Sequence, residues 1–299
     1  MSLTVVILTF NEAQHIGRAI ESVQGIADRI FVVDSGSSDE TIEIARAGGA
    51  EVRHNRWVNY ATQFNWALDQ LPPDTEWVLR LDADEIVTAP LAAEIAARLP
   101  QLGPEVDGVY VSRRMTFLRR PIRHGGVFPV RILRLFRHGR ARCENRWMDE
   151  HIKTEGASAT FHNEILDDNI NPLTWWTAKH NSYASREALD LLNLKFGFMP
   201  HETVADLRAG QQAGTKRWLK ENVYARLPGG ARSLAYFCYR YVFRMGFLDG
   251  REGALFHVLQ GFWYRYLVDA KLYEVHQCMR RDGVDVVTAI DRVLGIRLP

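Results

Sequence analysis

Three carboxylates fall within four residues of the stretch EWVLRLDADEI, residues 76–86: Asp82, Asp84 and Glu85. They follow Val78, Leu79 and Leu81, an apolar run that reads as a buried strand. Carboxylates this close repel one another unless water or a cation intervenes. Two chemistries suit the cluster. One is a solvated turn whose acids cap the next helix. The other is a site for a hard divalent cation, which takes carboxylate oxygens as ligands and neutralises phosphate oxygens.

The elements before this cluster alternate. Leu3–Thr9 is a β-branched run, Glu12–Val23 has helical spacing in Ile16, Ile20 and Val23, and Ile30–Asp34 is a second short strand. Asp39–Ala47 reads as a helix, Glu51–His54 as a weaker strand, Asn59–Leu71 as a helix with Phe64 and Leu68 inward, and Trp77–Leu81 as the fourth strand. Strand–helix repeats at this spacing predict a parallel α/β sheet with right-handed crossovers. Such sheets bind ligands beyond the carboxyl ends of their strands. Those ends carry TFNE, DSGSSDET and DADE, as a nucleotide site requires. Ser37, Ser38 and Asp39 serve equally as N-caps or as ligand contacts. Asp34 precedes the cap and ends an apolar strand, where a carboxylate could accept the N–H of a pyrimidine ring.

From about residue 108 the alternation stops. Val109, Val111 and then Ile132, Leu133, Leu135 and Phe136 predict antiparallel strands, with Gly125-Gly126 and His138-Gly139 as turns. WMDEHI follows, Ala159–Leu166 reads as a further strand, and the chain from Pro172 on is mostly helical. Leu234, Phe237, Cys238, Tyr241, Val242 and Met245 recur at helical spacing, which predicts a core-facing stripe. GFLDGREG then breaks the chain, and Leu255–Glu274 reads as an aromatic-rich helix.

A chain of 299 residues, 46% hydrophobic and 24% charged, has an ordinary globular composition. Its formal charge of +1 gives no reason to expect nucleic acid, although arginines crowd residues 113–146. Cys143, Cys238 and Cys278 are too scattered for a disulfide framework or a CxxC metal site and read as reduced cytosolic thiols. No secretory signal and no membrane-spanning run is visible, so a soluble protein or one resting on a membrane surface is expected.

VVILTFNE, VVDSGSSDET, QFNWAL, LRLDADE and WMDEH occur in the order and approximate spacing of family 2 glycosyltransferases with the GT-A fold. HNSYASREA and YVFRMGFLDGREG resemble the bacterial subgroup that extends lipopolysaccharide core or exopolysaccharide chains. The resemblance implies a Rossmann-like GT-A nucleotide-sugar-binding domain with a mixed sheet over residues 1–170. Residues 171–299 would be a helical extension facing acceptor and membrane. It assigns Thr9, Phe10, Asn11, Glu12 and Asp34 to the base and ribose pocket of a UDP-sugar, and Asn65 and His180 to the ribose or diphosphate. Asp84 would hold Mg²⁺ or Mn²⁺, with Asp82 on ribose or on the metal through water and His151 as a further ligand. An inverting transferase needs one base for the acceptor hydroxyl. Glu150 or Asp149 would supply it, with Arg146 holding the other; the family often has ED where this chain has DEH.

Three rivals fit less well. A dinucleotide-dependent oxidoreductase needs a glycine-rich first turn, which TFNEAQ lacks. A haloacid-dehalogenase-type phosphatase carries its DxD on the first strand, not the fourth. A non-catalytic nucleotide-sugar sensor or scaffold would keep the pocket and lose the base, whereas DEH is intact. The helical end interleaves aromatics such as Trp218, Tyr224, Phe243 and Trp263 with Lys216, Arg217, Lys220, Arg240 and Arg244. That pattern fits a helical core with snorkelling basic residues or an interfacial membrane surface. The subgroup's acceptors are lipid-linked, which points to peripheral contact on the inner face of the cytoplasmic membrane. RNA binding is not expected.

Overall fold

The computed structural model describes residues 2–144, 151–199 and 230–298. Its contacts divide the chain into two compact units, Met1–Ile170 and Asn171–Pro299.

The first unit is built on one sheet. Its strands are β1 (Leu3–Thr9), β2 (Arg29–Asp34), β3 (Glu51–His54), β4 (Trp77–Asp82), β5 (Glu85–Val87), β6 (Val106–Phe117), β7 (Arg120–Pro121), β8 (Val130–Arg137) and β11 (Ala157–Asp167). Between the last two, β9 (Ala141–Cys143) and β10 (Ile152–Thr154) form a separate antiparallel pair. The order across the large sheet is β3-β2-β1-β4-β8-β6-β11-β5, with β7 beside β6. The four strands at the β3 end are parallel to one another, β8 is antiparallel to both β4 and β6, and β6 is parallel to β11. The sheet is therefore mixed.

Helices α1 (Ile16–Glu21), α2 (Thr41–Ala47), α3 (Tyr60–Gln70) and α4 (Ala89–Arg98) complete the unit. Successive residues of a strand point to opposite faces, so a strand covered on both sides is apolar throughout. Val5 and Ile7 of β1 join Leu79 and Leu81 in a core with Ile16, Ile20 and Leu91. Val6 of the same strand joins Val33, Val78 and Phe64 in a core on the other face.

The expected Glu12–Val23 helix begins only at Ile16. Glu12 is drawn away: its N–H donates to Thr41 Oγ1 at 2.8 Å, behind Asn11 in a left-handed conformation (φ 55°). The expected helix at 59–71 forms as α3, with Asn59 as N-cap accepting from the Thr62 N–H at 2.8 Å. Along β11 and β6 the register slips between Thr160 and Glu164. A bulge frees backbone donors. Here Glu94 of α4 takes them: its carboxylate accepts from the N–H groups of His162 and Asn163 at 2.9–3.1 Å.

The second unit is helical over its described residues. Helix α5 (Leu173–Phe196) packs on α8 (Tyr264–Asp282), which packs on α9 (Val286–Leu294). Leu192, Val275, Ala289 and Ile290 form their shared core. Between α5 and α8 lie α6 (Ala231–Cys238), a π-helical turn Tyr239–Phe243, a 3₁₀ turn Gly246–Asp249, α7 (Gly250–Phe256) and a second π-helical segment, His257–Trp263. The stripe through Leu234 corrects the sequence expectation. Leu234 is 53% exposed and Val242 is 54% exposed, while Arg232, Ser233 and Arg240 are buried. No described helix is long and apolar enough to cross a membrane.

Candidate active site

The parallel register aligns the strand ends: Thr9 lies beside Asp34, and Leu8 beside Asp82. The chain leaves β4 at Asp82 and, after Ala83 and Asp84, enters β5. β5 pairs with β11 at the far end of the sheet order, so the sheet curls back onto the end of β4. Asp167 is registered opposite Glu85. Asp82, Asp84, Glu85 and Asp167 are thereby gathered at one edge.

Asp82 and Glu85 are tied to one arginine. Arg134 Nη2 donates to Asp82 Oδ2 at 2.9 Å and to Glu85 Oε1 at 2.5 Å. Tyr60 donates its hydroxyl to Asp82 Oδ1 at 2.8 Å, and Arg80 lies over the Tyr60 ring, 4.1 Å from its centroid. Glu85 Oε2 accepts the Asp82 N–H at 3.0 Å, which fixes the turn. Glu85 is thus a buried member of this cluster and not a helix cap. Burial alone would raise the Asp82 carboxyl, but Arg134 and Arg80 hold it below the ordinary range. Burial dominates at Glu85, pushing it up to about 7 against the pull of Arg134.

Asp84 is free of this lock. Its Oδ2 accepts from Asn169 Nδ2 at 2.9 Å, and its carbonyl accepts the Asp168 N–H at 3.0 Å. Asp167 is pushed up to about 8, first by burial and then by the charge of Asp84. Asp84 and Asp167 form an edge with oxygen donors only, and the charge of Asp84 is felt at Asp167. That donor set fits Mg²⁺ or Mn²⁺, ions that keep waters and bind through one or two carboxylates plus substrate phosphates. Among the described residues no three His, Cys, Asp or Glu side chains form a ready-made metal cage.

On the other flank, Asn11 ties two loops together. Its N–H donates to Ser37 Oγ at 2.9 Å, and its Oδ1 accepts the Ser38 N–H at 2.8 Å. Asp34 is buried beneath this turn: Oδ2 accepts from the N–H groups of Gly36 (2.7 Å) and Ser37 (3.0 Å), and Oδ1 accepts the Ser37 hydroxyl. Gly36 has φ 101°, a conformation in which a side chain is strained. Asp39 accepts from the Thr41 N–H at 3.1 Å, but the N-cap of α2 is Glu40, one residue further on, so none of Ser37, Ser38 and Asp39 is the cap. Thr9 is buried, and Phe10 is 56% exposed beside it. Glu12 lies 2.6 Å from His15 Nδ1, while His15 Nε2 accepts the Ile170 N–H, so the ring proton faces Glu12.

Asn65 holds the root of the β9–β10 pair: its amide donates to the Cys143 carbonyl and accepts the Cys143 N–H, each at 2.9 Å. His151, exposed at the start of the return strand, contacts Glu144 Oε1 through Nδ1 at 3.1 Å. Arg146, Asp149 and Glu150 lie outside the described residues. His180 belongs to the second unit, where its ring stacks on Trp176 with centroids 3.5 Å apart and burial lowers its pKa. Sequence reasoning missed Arg134, Tyr60 and Asp167. Arg134 is a charge between Leu133 and Leu135 in an apolar strand, which implies a buried partner. Asp167-Asp168 repeats the strand-end acidic signal of DADE.

The glycosyl transferase family 2 model matches residues 4–168, more than half of the chain and nearly all of the sheet unit. The chain belongs to glycosyl transferase family 2. It is a transferase with the GT-A-type mixed sheet and an additional helical unit. The lipopolysaccharide core biosynthesis glycosyltransferase LpsC of Rhizobium meliloti is 26% identical over 299 residues, covering 95% of this chain and 97% of that protein. An uncharacterized glycosyltransferase of Rickettsia prowazekii is 41% identical over 93 residues, 31% of each chain. That match spans less than a third of the Rickettsia protein's length. The crystal structure of glucosyl-3-phosphoglycerate synthase from Mycobacterium tuberculosis with Mn²⁺, UDP and glucosyl-3-phosphoglycerate is 24% identical, with a TM-score of 0.33 over 38% of this chain and 44% of that one. That likeness is too distant to bear on the ligands of this chain.

Proposed function

We propose that this family 2 enzyme transfers a sugar, with inversion, from a UDP-sugar to a saccharide hydroxyl on a lipid-linked acceptor of lipopolysaccharide-core or exopolysaccharide synthesis. One observation carries the donor half: Asp84 stands beside Asp167 at the sheet edge while Asp82 is immobilised by Arg134 and Tyr60. The similarity to LpsC along almost its whole length supports the acceptor class.

The roles follow from the contacts. Asp84 would hold Mg²⁺ or Mn²⁺, which supplies positive charge to the departing diphosphate. Asp82, ionised and fixed, suits a ribose hydroxyl or a water of the cation. Thr9, Phe10, Asn11, Glu12 and the loop capped by Asp34 would form the base and ribose pocket, with Phe10 offering an exposed ring. Asn65 acts through the β9–β10 pair it pins; Glu150 and Asp149, which lie between those strands in sequence, are the candidates for the base. His151 and His180 remain proposed contacts to the cation and diphosphate. Peripheral contact with the inner face of the cytoplasmic membrane would bring the enzyme to its acceptor. A non-catalytic nucleotide-sugar scaffold is the rival reading.

A donor-hydrolysis screen tests the proposal. UDP-sugars with Mg²⁺ or Mn²⁺ should be turned over in preference to GDP- and dTDP-sugars. Preference for another nucleotide would overturn the UDP assignment, and binding without any turnover would favour the scaffold.

A further inference from the structure

Residues 231–263 form a helical hairpin with polar as well as aromatic side chains between its arms. Its first arm, α6 and the π-helical turn after it, packs on the second π-helical segment. The polar side chains lie between the arms. Arg240 donates to Gln260 and sits against the rings of Tyr236 and Phe256. His257 is 0% exposed, and neither ring nitrogen has a hydrogen-bond partner. The arms approach closely there: a Cβ on Gly246 would stand 2.5 Å from His257 Nε2.

Phe256 and the Phe237–Phe262 pair also pack between the arms, but the apolar side chains at the turn joining them face outward. Phe243 is 76% exposed, and Met245, Phe247 and Leu248 are each about half exposed. Met245 is held in the left-handed region at φ 56°, a conformation costly for a residue with a Cβ. Arg244 and Arg251 are exposed on the same turn, while Asp249 and Glu252 are partly covered.

We propose that this turn inserts into the headgroup region of an anionic phospholipid bilayer. Phe243, Met245, Phe247 and Leu248 enter the acyl boundary, and Arg244 and Arg251 reach back to lipid phosphates. The proposal rests on the reading of the enzyme as one whose acceptor is lipid-linked, and it names the surface that docks. A soluble helix turns its apolar stripe inward; here Leu234, Val242 and Met245 of that stripe face outward, as suits an apolar surrounding. Arg244 also lies between Phe243 and Met245, so its long stem can lie along the inserted surface while the guanidinium stays among phosphates.

The experiment is co-sedimentation of the full chain with phosphatidylcholine vesicles, with or without phosphatidylglycerol. Wild type should bind the anionic vesicles. Phe243→Ser with Phe247→Ser should lower the partition coefficient roughly tenfold or more. Arg244→Gln with Arg251→Gln should cost about fivefold per charge on anionic vesicles only. Transfer to a soluble acceptor fragment should be unchanged in both double variants. A Phe243→Trp variant adds a readout that needs no loss of apolar surface: brominated lipid should quench it beyond the wild-type level. Equal vesicle binding by wild type and the serine variant would overturn the proposal. So would a dimer that the serine variant dissociates, with no vesicle binding by wild type. Vesicle binding with no UDP-sugar turnover would instead refute the transferase reading and leave the docking surface standing.

Discussion

At the sheet edge, Glu85 and Arg134 are buried together with the partly covered Asp82 on the same guanidinium; in the 231–263 hairpin, Arg240 and His257 are buried while Leu234, Val242 and Phe243 face outward. Both regions bury charge or polarity, yet by different means. In the sheet unit, carboxylates meet guanidinium at hydrogen-bond distance, and the surplus acid, at Asp84 and Asp167, is left where a cation and a diphosphate would meet it. In the hairpin the buried groups lie against rings, glutamine and glycine, and the surplus is apolar surface. One region is shaped by what it would bind in water, the other by the solvent it would meet.

The largest expected effect separates chemistry from scaffold. Glu150→Gln should reduce transfer by about 10²–10⁴-fold while UDP affinity is kept, because the base acts on the acceptor. If Asp149→Asn behaves that way and Glu150→Gln stays active, the two acids exchange roles. Steady-state transfer paired with UDP calorimetry reads both.

Next comes the arginine on which the buried charge depends. Arg134→Met leaves Asp82 and Glu85 without their shared partner and should destabilise the fold by about 3–5 kcal/mol in denaturant titration. A loss under about 1 kcal/mol would mean the cluster is far wetter than its burial indicates.

The smallest effect tests a buried carboxylate that has no part in the site. Glu94 is held down to about 2: burial would raise it, but the His162 and Asn163 N–H groups, with Arg98, outweigh that. Its folded pKa lies below its unfolded one, so its stabilisation is present above about 4.5 and is lost as pH falls towards about 2. Glu94→Gln should cost about 1–3 kcal/mol at neutral pH. Urea titrations should show the gap between variant and wild type narrowing below pH 4.5. A gap constant across that range would show that the carboxylate is not the group bracing the bulge.

Much of the sheet edge was legible because strands covered on both faces must be apolar throughout, so acids and amides ending them stand out. Asp82 and Asp84 were found that way, and Asp167 could have been. Arg134 was not, because a strand's sequence does not say which neighbour it will face, and β8 meets β4 only through a non-sequential pairing. The burial of Glu85, for which a cap was one of the open alternatives, was not legible because the curl that buries it is a property of the whole sheet. The stripe through Leu234 failed differently. Its period gave the helix correctly, but periodicity says which residues share a face and not whether that face turns in or out.

The metal-linked UDP site is tested most directly by calorimetric titration of UDP into wild type and Asp84→Asn, each with Mn²⁺ and with excess EDTA. Mn²⁺ should tighten UDP binding to wild type by about tenfold or more, the usual size of a coupling above 1.4 kcal/mol. It should leave the Asp84→Asn affinity unchanged, with thermal stability within a degree or two of wild type. Wild-type UDP affinity and sugar turnover that are the same in EDTA as in Mn²⁺ would contradict the assignment of Asp84 and, with it, the proposed use of the sheet edge.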